Sequence, residues 1–145
     1  SLRRRMARCS RCANQRSLSP FGRVEPVIEA KSGSSGNMIW KKDINQLAGS
    51  VNWCKEEYGP TVTVVPAVMH RRTVVERTGT APPGTRVLTP ATVEKLKEAV
   101  RSYATALALG DRYQDPKRVG EQLQEHGLAA AEIVKAHSTV ATRQT

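Results

Sequence analysis

Glu29 and Lys31 stand two residues apart at the end of an apolar run, Val27-Ile28-Glu29-Ala30-Lys31, just before a Ser/Gly-rich break at 32–36. Side chains alternate faces along a strand, so Ile28 and Ala30 share one face, and Val27, Glu29 and Lys31 share the other. A carboxylate and an ammonium would then project side by side. As residue types they suit phosphate chemistry: a hard cation prefers carboxylate oxygens, and an ammonium offsets phosphate charge. The same spacing also suits a half-buried edge strand carrying two solvated charges. The rest of the chain has to decide between these readings.

Net charge is +10, from 23 Lys and Arg against 13 Asp and Glu. The excess is uneven. Before Glu25 the chain carries Arg3, Arg4, Arg5, Arg8, Arg11, Arg16 and Arg23 and no acid. A localised basic block points to a polyanion, with nucleic acid the first candidate. The same residues also suit a solubilising arm that orders on binding. A second basic cluster, His70-Arg71-Arg72, follows the apolar run 61–69. In an open α/β sheet, ligands sit beyond the carboxyl ends of the strands, where this cluster could contact phosphates or form a plain solvated turn. His126 and His137 fall near expected helix ends and read as caps or surface residues.

Cys9-x-x-Cys12 is half of a zinc motif, with no second pair or nearby His to complete four ligands. Cys54 falls on an apolar helix face and reads as core. Three cysteines with no apolar leader after the basic N-terminus suggest a reducing, cytoplasmic setting. No apolar run reaches the ~20 residues of a membrane helix, so no membrane partner is expected. No Ser-His-Asp order, Gly-rich phosphate loop or HExxH is present.

The elements that must position these residues follow from periodicity. Residues 24–31 read as a strand, with Pro26 making its first half an edge or a bulge. Ile44, Leu47, Val51, Cys54 and Tyr58 recur at three- and four-residue steps, predicting a helix over 42–58 that stops at Gly59-Pro60. Residues 61–69, TVTVVPAVM, read as a central β-branched strand with Pro66 at its bend or end. Short extended pieces are expected at 73–77 and 86–88. Thr89-Pro90 opens a long helix with a buried stripe of Val93, Leu96, Val100, Tyr103 and Leu107, ended by Gly110. Asp115-Pro116 repeats that start for a helix to about His126. Residues 128–137 read as a last helix and 138–145 as a frayed end. Residues 119–135 superficially match a helix-turn-helix, but a helical hairpin packed through Val119, Leu123, Leu128, Ile133 and Val134 suits them better, because only Glu132 and Lys135 could offer base contacts. Strand, helix, strand suggests a βαβ crossover and parallel pairing.

Glu29-Ala30-Lys31, after an apolar strand and before a helix and a second apolar strand, resembles the PD-(D/E)xK nuclease superfamily, whose fold is restriction-endonuclease-like. The resemblance covers roughly residues 24–109. It implies that the ExK strand is central, that Glu29 ligates Mg²⁺ or Mn²⁺, and that Lys31 orients or activates the attacking water. Some members carry a functional glutamine on the following helix, and Gln46 is similar in position. The family's acid on the preceding strand has no counterpart, since no Asp or Glu precedes Glu25. Asp43, on the next helix, is the candidate to take its place. The family's opening helix and hairpin are missing or replaced by the arginine-rich arm, as expected of a fragment, a divergent copy, or a subunit whose site a partner protein or second subunit completes.

These readings combine into an α/β chain with a small restriction-endonuclease-like sheet flanked by helices. Residues 1–23 are a basic arm, 24–110 the core and 111–145 a helical C-terminal extension. The expected function is Mg²⁺- or Mn²⁺-dependent hydrolysis of DNA. Glu29, Lys31 and Gln46 are the catalytic candidates, and Glu29 and Asp43 the metal ligands. Arg3, Arg4, Arg5, His70, Arg71 and Arg72 are the phosphate contacts. The alternative is a non-catalytic nucleic-acid-binding or assembly module on the same scaffold.

Overall fold

The carboxyl ends of three parallel strands meet in one row, and the βαβ crossover read from the sequence accounts for two of them. A computed structural model describes residues 24–30, 36–130 and 132–145. Lys31, the arm with Arg3, Arg4 and Arg5, and the Cys9/Cys12 pair lie outside the described residues. The strands are β1 (Val24–Ala30), β2 (Thr63–Met69), β3 (Val74–Val75), β4 (Arg86–Leu88), β5 (Thr139–Val140) and β6 (Thr142–Arg143). The helices are α1 (Lys41–Tyr58), α2 (Pro90–Ala108), α3 (Pro116–Glu125) and α4 (Ile133–Ala136), with a 3₁₀ segment at Leu109–Gln114. The protein is thus a mixed α/β structure.

The main sheet has the order β1-β2-β4-β5. β1, β2 and β4 are parallel, and β5 is antiparallel to β4. A second pair, β3 and β6, is also parallel. β1 is therefore an edge strand among the described residues, where the resemblance implies a central one. β2 is central, and Pro66 sits within it rather than at its end. The register explains the tolerance. β4 joins β2 only from Ala67 onward, so at Pro66 one side of β2 is still open and a missing N–H need not break a ladder.

The two sheet faces carry separate cores. On one, Val68 and Val87 pack with Ile39, Ile44, Leu47, Val51 and Val75 under α1, and Val27 joins at the margin. Each fully buried aliphatic side chain contributes roughly 1.5–3 kcal/mol relative to exposure. Ile44, Leu47, Val51 and Cys54 are buried as their spacing predicts, but Tyr58, the last residue of the helix, is 40% exposed. On the other face, Val65, Ala67, Leu88 and Val134 are buried with Val24, Val93 and Ile133 against them. The residues 119–135 thus pack as a hairpin through their second half. Its four-residue α4 is too short to act as a recognition helix.

α2 departs from its expected stripe. Only Thr92 is buried along it, and Val100 is 48% exposed. Among the described residues its main neighbours are the 3₁₀ segment and α3. It ends where Gly110 and Asp111 adopt left-handed backbone angles, φ 64° and 55°, a conformation most readily taken by glycine and tolerated by Asp. Its start is as read. Thr92 N–H donates to Thr89 Oγ1 at 3.3 Å, and Thr89 N–H donates to Thr92 Oγ1 at 2.8 Å. Thr89→Ala is expected to cost about 0.5–2 kcal/mol in denaturant unfolding.

The C-terminal extension is not wholly helical. Residues 138–145, expected to fray, pair with both sheets. Ala141 N–H donates to the Thr85 carbonyl at 3.0 Å, Thr142 N–H to Thr73 at 2.9 Å and Gln144 N–H to Val75 at 3.1 Å. Arg86 anchors the same segment through the Ser138 hydroxyl and the Lys135 and Ser138 carbonyls. β-branched Thr139, Val140 and Thr142 favour extended backbone, but the partners that use it lie over 50 residues away. No helix among the described residues is long and apolar enough to cross a membrane.

Candidate functional site

Glu29 lies opposite Val68, and in the next row Ala30, Met69 and Leu88 stand side by side. By alternation Glu29 shares the face of Val27 and Val68, the face covered by α1. It is half-buried. α1 must begin at this same end, because it runs back from the carboxyl end of β1 to the start of β2. Its first turn holds Asp43, also half-buried, and its second holds Gln46, which is exposed.

The flank of α1 is set by a second contact. Asn45 Oδ1 accepts from Thr80 N–H at 3.4 Å. A Cβ on Gly79 would stand 2.8 Å from the Ile44 side chain, so the 76–81 loop lies close against the helix only because residue 79 is glycine. The Asn45 side chain and the Lys41 amide meet this loop, whose Ala81 packs with Ala141 against the cluster that includes Val87. Helical spacing turns Asp43 and Ser50 to the opposite flank, the side of β1. By this spacing Glu29 and Asp43 belong to the same end of the α1-covered face. Both make interactions within the fold. Among the described residues no three His, Cys, Asp or Glu side chains form a metal-holding group.

Glu76 was not singled out by sequence. Trp40, at the N-cap of α1, offers no side-chain cap, and Glu76 Oε2 accepts the Lys41 N–H at 2.7 Å instead. Thr78 donates to Oε1 at 2.9 Å. These bonds, the Lys41 amide first, hold the Glu76 carboxyl below the ordinary glutamate value. A depressed carboxylate stabilises the fold above its unfolded pKa and loses that contribution as pH falls through the lower folded value. The protection factor of the Lys41 amide, its exchange rate relative to the intrinsic rate at each pH, should therefore fall on acidification in this window. In Glu76→Gln that pH step should vanish. No local signal could reveal a cap donated from 35 residues away.

The basic cluster divides. Arg71 and Arg72 are exposed. His70 is not: it is 4% exposed, its backbone N–H donates to the Leu88 carbonyl at 3.1 Å, and its Nδ1 accepts the Arg72 N–H at 2.9 Å. Contrary to the solvated-turn expectation, it is part of the packed end of the sheet. The reason is register: β2 keeps its hydrogen bonding to β4 one residue past Met69, so His70 follows Val68 onto the α1 face. His126 occupies the C-cap of α3, as its position suggested.

Two shallow grooves of about 210 and 410 Å³ lie elsewhere, one beside Thr85 and Thr142, the other beside Lys55 and Pro60. Neither is lined by Glu29, Asp43, Gln46 or His70. Comparison with protein-family models, curated proteins and solved structures gives no significant match to this chain.

Proposed function

We propose that the chain cleaves DNA phosphodiesters with a divalent metal, on a restriction-endonuclease-like version of its α/β core. What supports this reading is that the carboxyl end of β1 and the first turn of α1 each carry a half-buried carboxylate, Glu29 and Asp43, and that helical spacing turns Asp43 toward the flank of β1. Lys31 follows Glu29 by two residues. The donor set suits Mg²⁺ or Mn²⁺, because Mg²⁺ binds through one or two carboxylates and keeps several waters. When bound, the ion supplies Lewis-acid polarisation of the phosphodiester and a lower pKa for a coordinated water.

The chain's own residues do the rest. Glu29 and Asp43 hold the cation. The Lys31 ammonium offsets the phosphate charge. Gln46, exposed one turn beyond Asp43, faces the incoming backbone. Arg71, Arg72 and the arm arginines hold flanking phosphates, which positions DNA without reading its sequence. Full-length chain with end-labelled duplex or single-stranded DNA is expected to give product with Mg²⁺ or Mn²⁺ and none with chelator.

A second reading is a binding module that keeps the scaffold without the chemistry. The edge position of β1 favours it, since the superfamily pattern has that strand inside the sheet. DNA binding with no product under any divalent condition would move the assignment there. Both readings share the arm. Each phosphate neutralised on duplex DNA adds roughly 0.9 to the slope of log affinity against log salt. Deleting residues 1–16 should therefore flatten that slope, and an unchanged slope would show that the arm takes no part.

A further inference from the structure

We infer that the C-terminal end of α1 is the docking site for the chain's own arginine arm, residues 1–23, where the arm rests until phosphates draw it away. The starting point is an aromatic ledge. Trp53 and Tyr58 stand edge to face, ring centroids 6.3 Å apart, and are 55% and 40% exposed. Tryptophan is well buried in most folds. At the same helix end runs the groove of about 410 Å³ bordered by Lys55, Glu56, Pro60 and Val62.

Charge selects the occupant. Glu56 and Glu57 are exposed beside Lys55, the cation of the last helical turn. Neither makes an ion pair among the described residues, whereas Glu94, Glu98 and Glu121 each pair with a cation three residues away. The carbonyl end of a helix carries about half a negative charge, and two carboxylates there add to it. In a chain of net charge +10 this end is locally anionic. It repels phosphates and attracts cations. Exposed rings next to carboxylates suit a guanidinium, which stacks on the one and donates to the other.

Topology supplies the arginines. α1 ends at Tyr58, and β2 begins at Thr63, which pairs with Val24 at the start of β1. Residues 59–62 alone separate the helix end from the row where the arm joins the fold. Seven arginines and no acid precede Val24, with Arg23 at the junction. Extended chain spans about 3.3–3.6 Å per residue, so Arg16 and Arg11 also reach the helix end. A tether this short holds the arm at roughly millimolar effective concentration, and weak contacts then suffice. The arm arginines that grip DNA in the function proposed above must first leave these carboxylates. That competition rests on the proposed function; the dock itself does not.

The experiment places a nitroxide on Cys12, inside the arm, in full-length ¹⁵N-labelled chain carrying Cys9→Ser. Cys54 is 4% exposed and shielded from the reagent. We expect the amides of residues 53–59 to lose intensity and those of residues 41–43, at the other end of α1, to keep it. The loss should disappear in the double variant Glu56→Gln, Glu57→Gln, whose two exposed positions leave the α1 core intact, and on adding saturating duplex DNA. No loss at 53–59, an equal loss at 41–43, or a loss unchanged in the double variant overturns the dock. Mixing nitroxide-bearing chain without ¹⁵N into unlabelled-arm ¹⁵N chain should leave 53–59 sharp; a loss there overturns the intrachain occupant and assigns the site to the arm of a second copy. DNA that binds without restoring the signals overturns the displacement. A chain whose arm docks but which binds no DNA upholds the dock and overturns the phosphate role given to the arm above.

Discussion

Glu29→Gln is expected to abolish metal-dependent DNA cleavage, by at least ~100-fold, while DNA binding survives. The substitution keeps the shape of a half-buried side chain at the end of β1 and removes its negative charge. The fold should therefore persist, because Val68 opposite it and the α1 core beneath are untouched. Cleavage should not persist, because the proposed cation site would lose one of its two carboxylates. Affinity for DNA should hold or rise, since like charges within a few ångströms repel and one has been removed. Lys31→Ala should also stop cleavage but weaken binding slightly, as a cation is lost. These opposite effects on binding distinguish loss of chemistry from loss of grip. Robust cleavage by Glu29→Gln would remove Glu29 from the mechanism.

Leu47→Ala should cost about 2–5 kcal/mol of stability. Leu47 is fully buried in the cluster that joins α1 to the sheet. Its truncation removes contacts and leaves a cavity between helix and strands that close packing cannot wholly refill. For a domain of this size the melting temperature should fall by ~10 °C or more. Trp53→Ala is the contrast. Trp53 lies on the same helix but is 55% exposed, with an edge-to-face contact to Tyr58. Its loss should stay within about 0.5 kcal/mol. Because Asp43 rides on the helix that Leu47 anchors, Leu47→Ala should also weaken Mn²⁺ binding near its melting range. Equal melting temperatures for the two variants would contradict the division of α1 into a core face and a solvent face.

What was legible in the sequence was local. The α1 stripe announced itself through Ile44, Leu47, Val51 and Cys54, and the caps through Thr89-Pro90 and Asp115-Pro116. The short strand at Arg86–Leu88 was also readable from its composition and its place before a cap. What failed depended on distant partners. The apolar stripe of α2 looked like a buried face, but among the described residues Val93, Leu96, Tyr103 and Leu107 are only half-buried and Val100 is exposed. Thr139–Arg143 has β-branched residues but only five positions, too few for a period, and its order comes from Val75, Thr85 and Val87. Pro66 argued against a strand interior, and only the late arrival of β4 permits it there.

The candidate site divides in the same way. Glu29 and its face were readable by alternation, and Asp43 by its place in the first turn of the helix. His70 looked like one residue of a basic turn, because a histidine beside two arginines reads as surface. It is 4% exposed, and its N–H continues the sheet's bonding to Leu88, a partner that local sequence does not reveal. Glu76 carried no signal at all, since a cap that crosses the fold has no spacing to read.

The most direct test of the account is where a divalent cation binds. Mn²⁺ broadens the NMR signals of nuclei near it, so substoichiometric Mn²⁺ added to ¹⁵N-labelled protein maps its site without a substrate. The account predicts selective broadening of the amides of residues 28–30 and 42–44, lost in Glu29→Gln, with the amides around Trp53 and Tyr58 at the far end of α1 unaffected. Broadening centred elsewhere, or a pattern unchanged in Glu29→Gln, would contradict it.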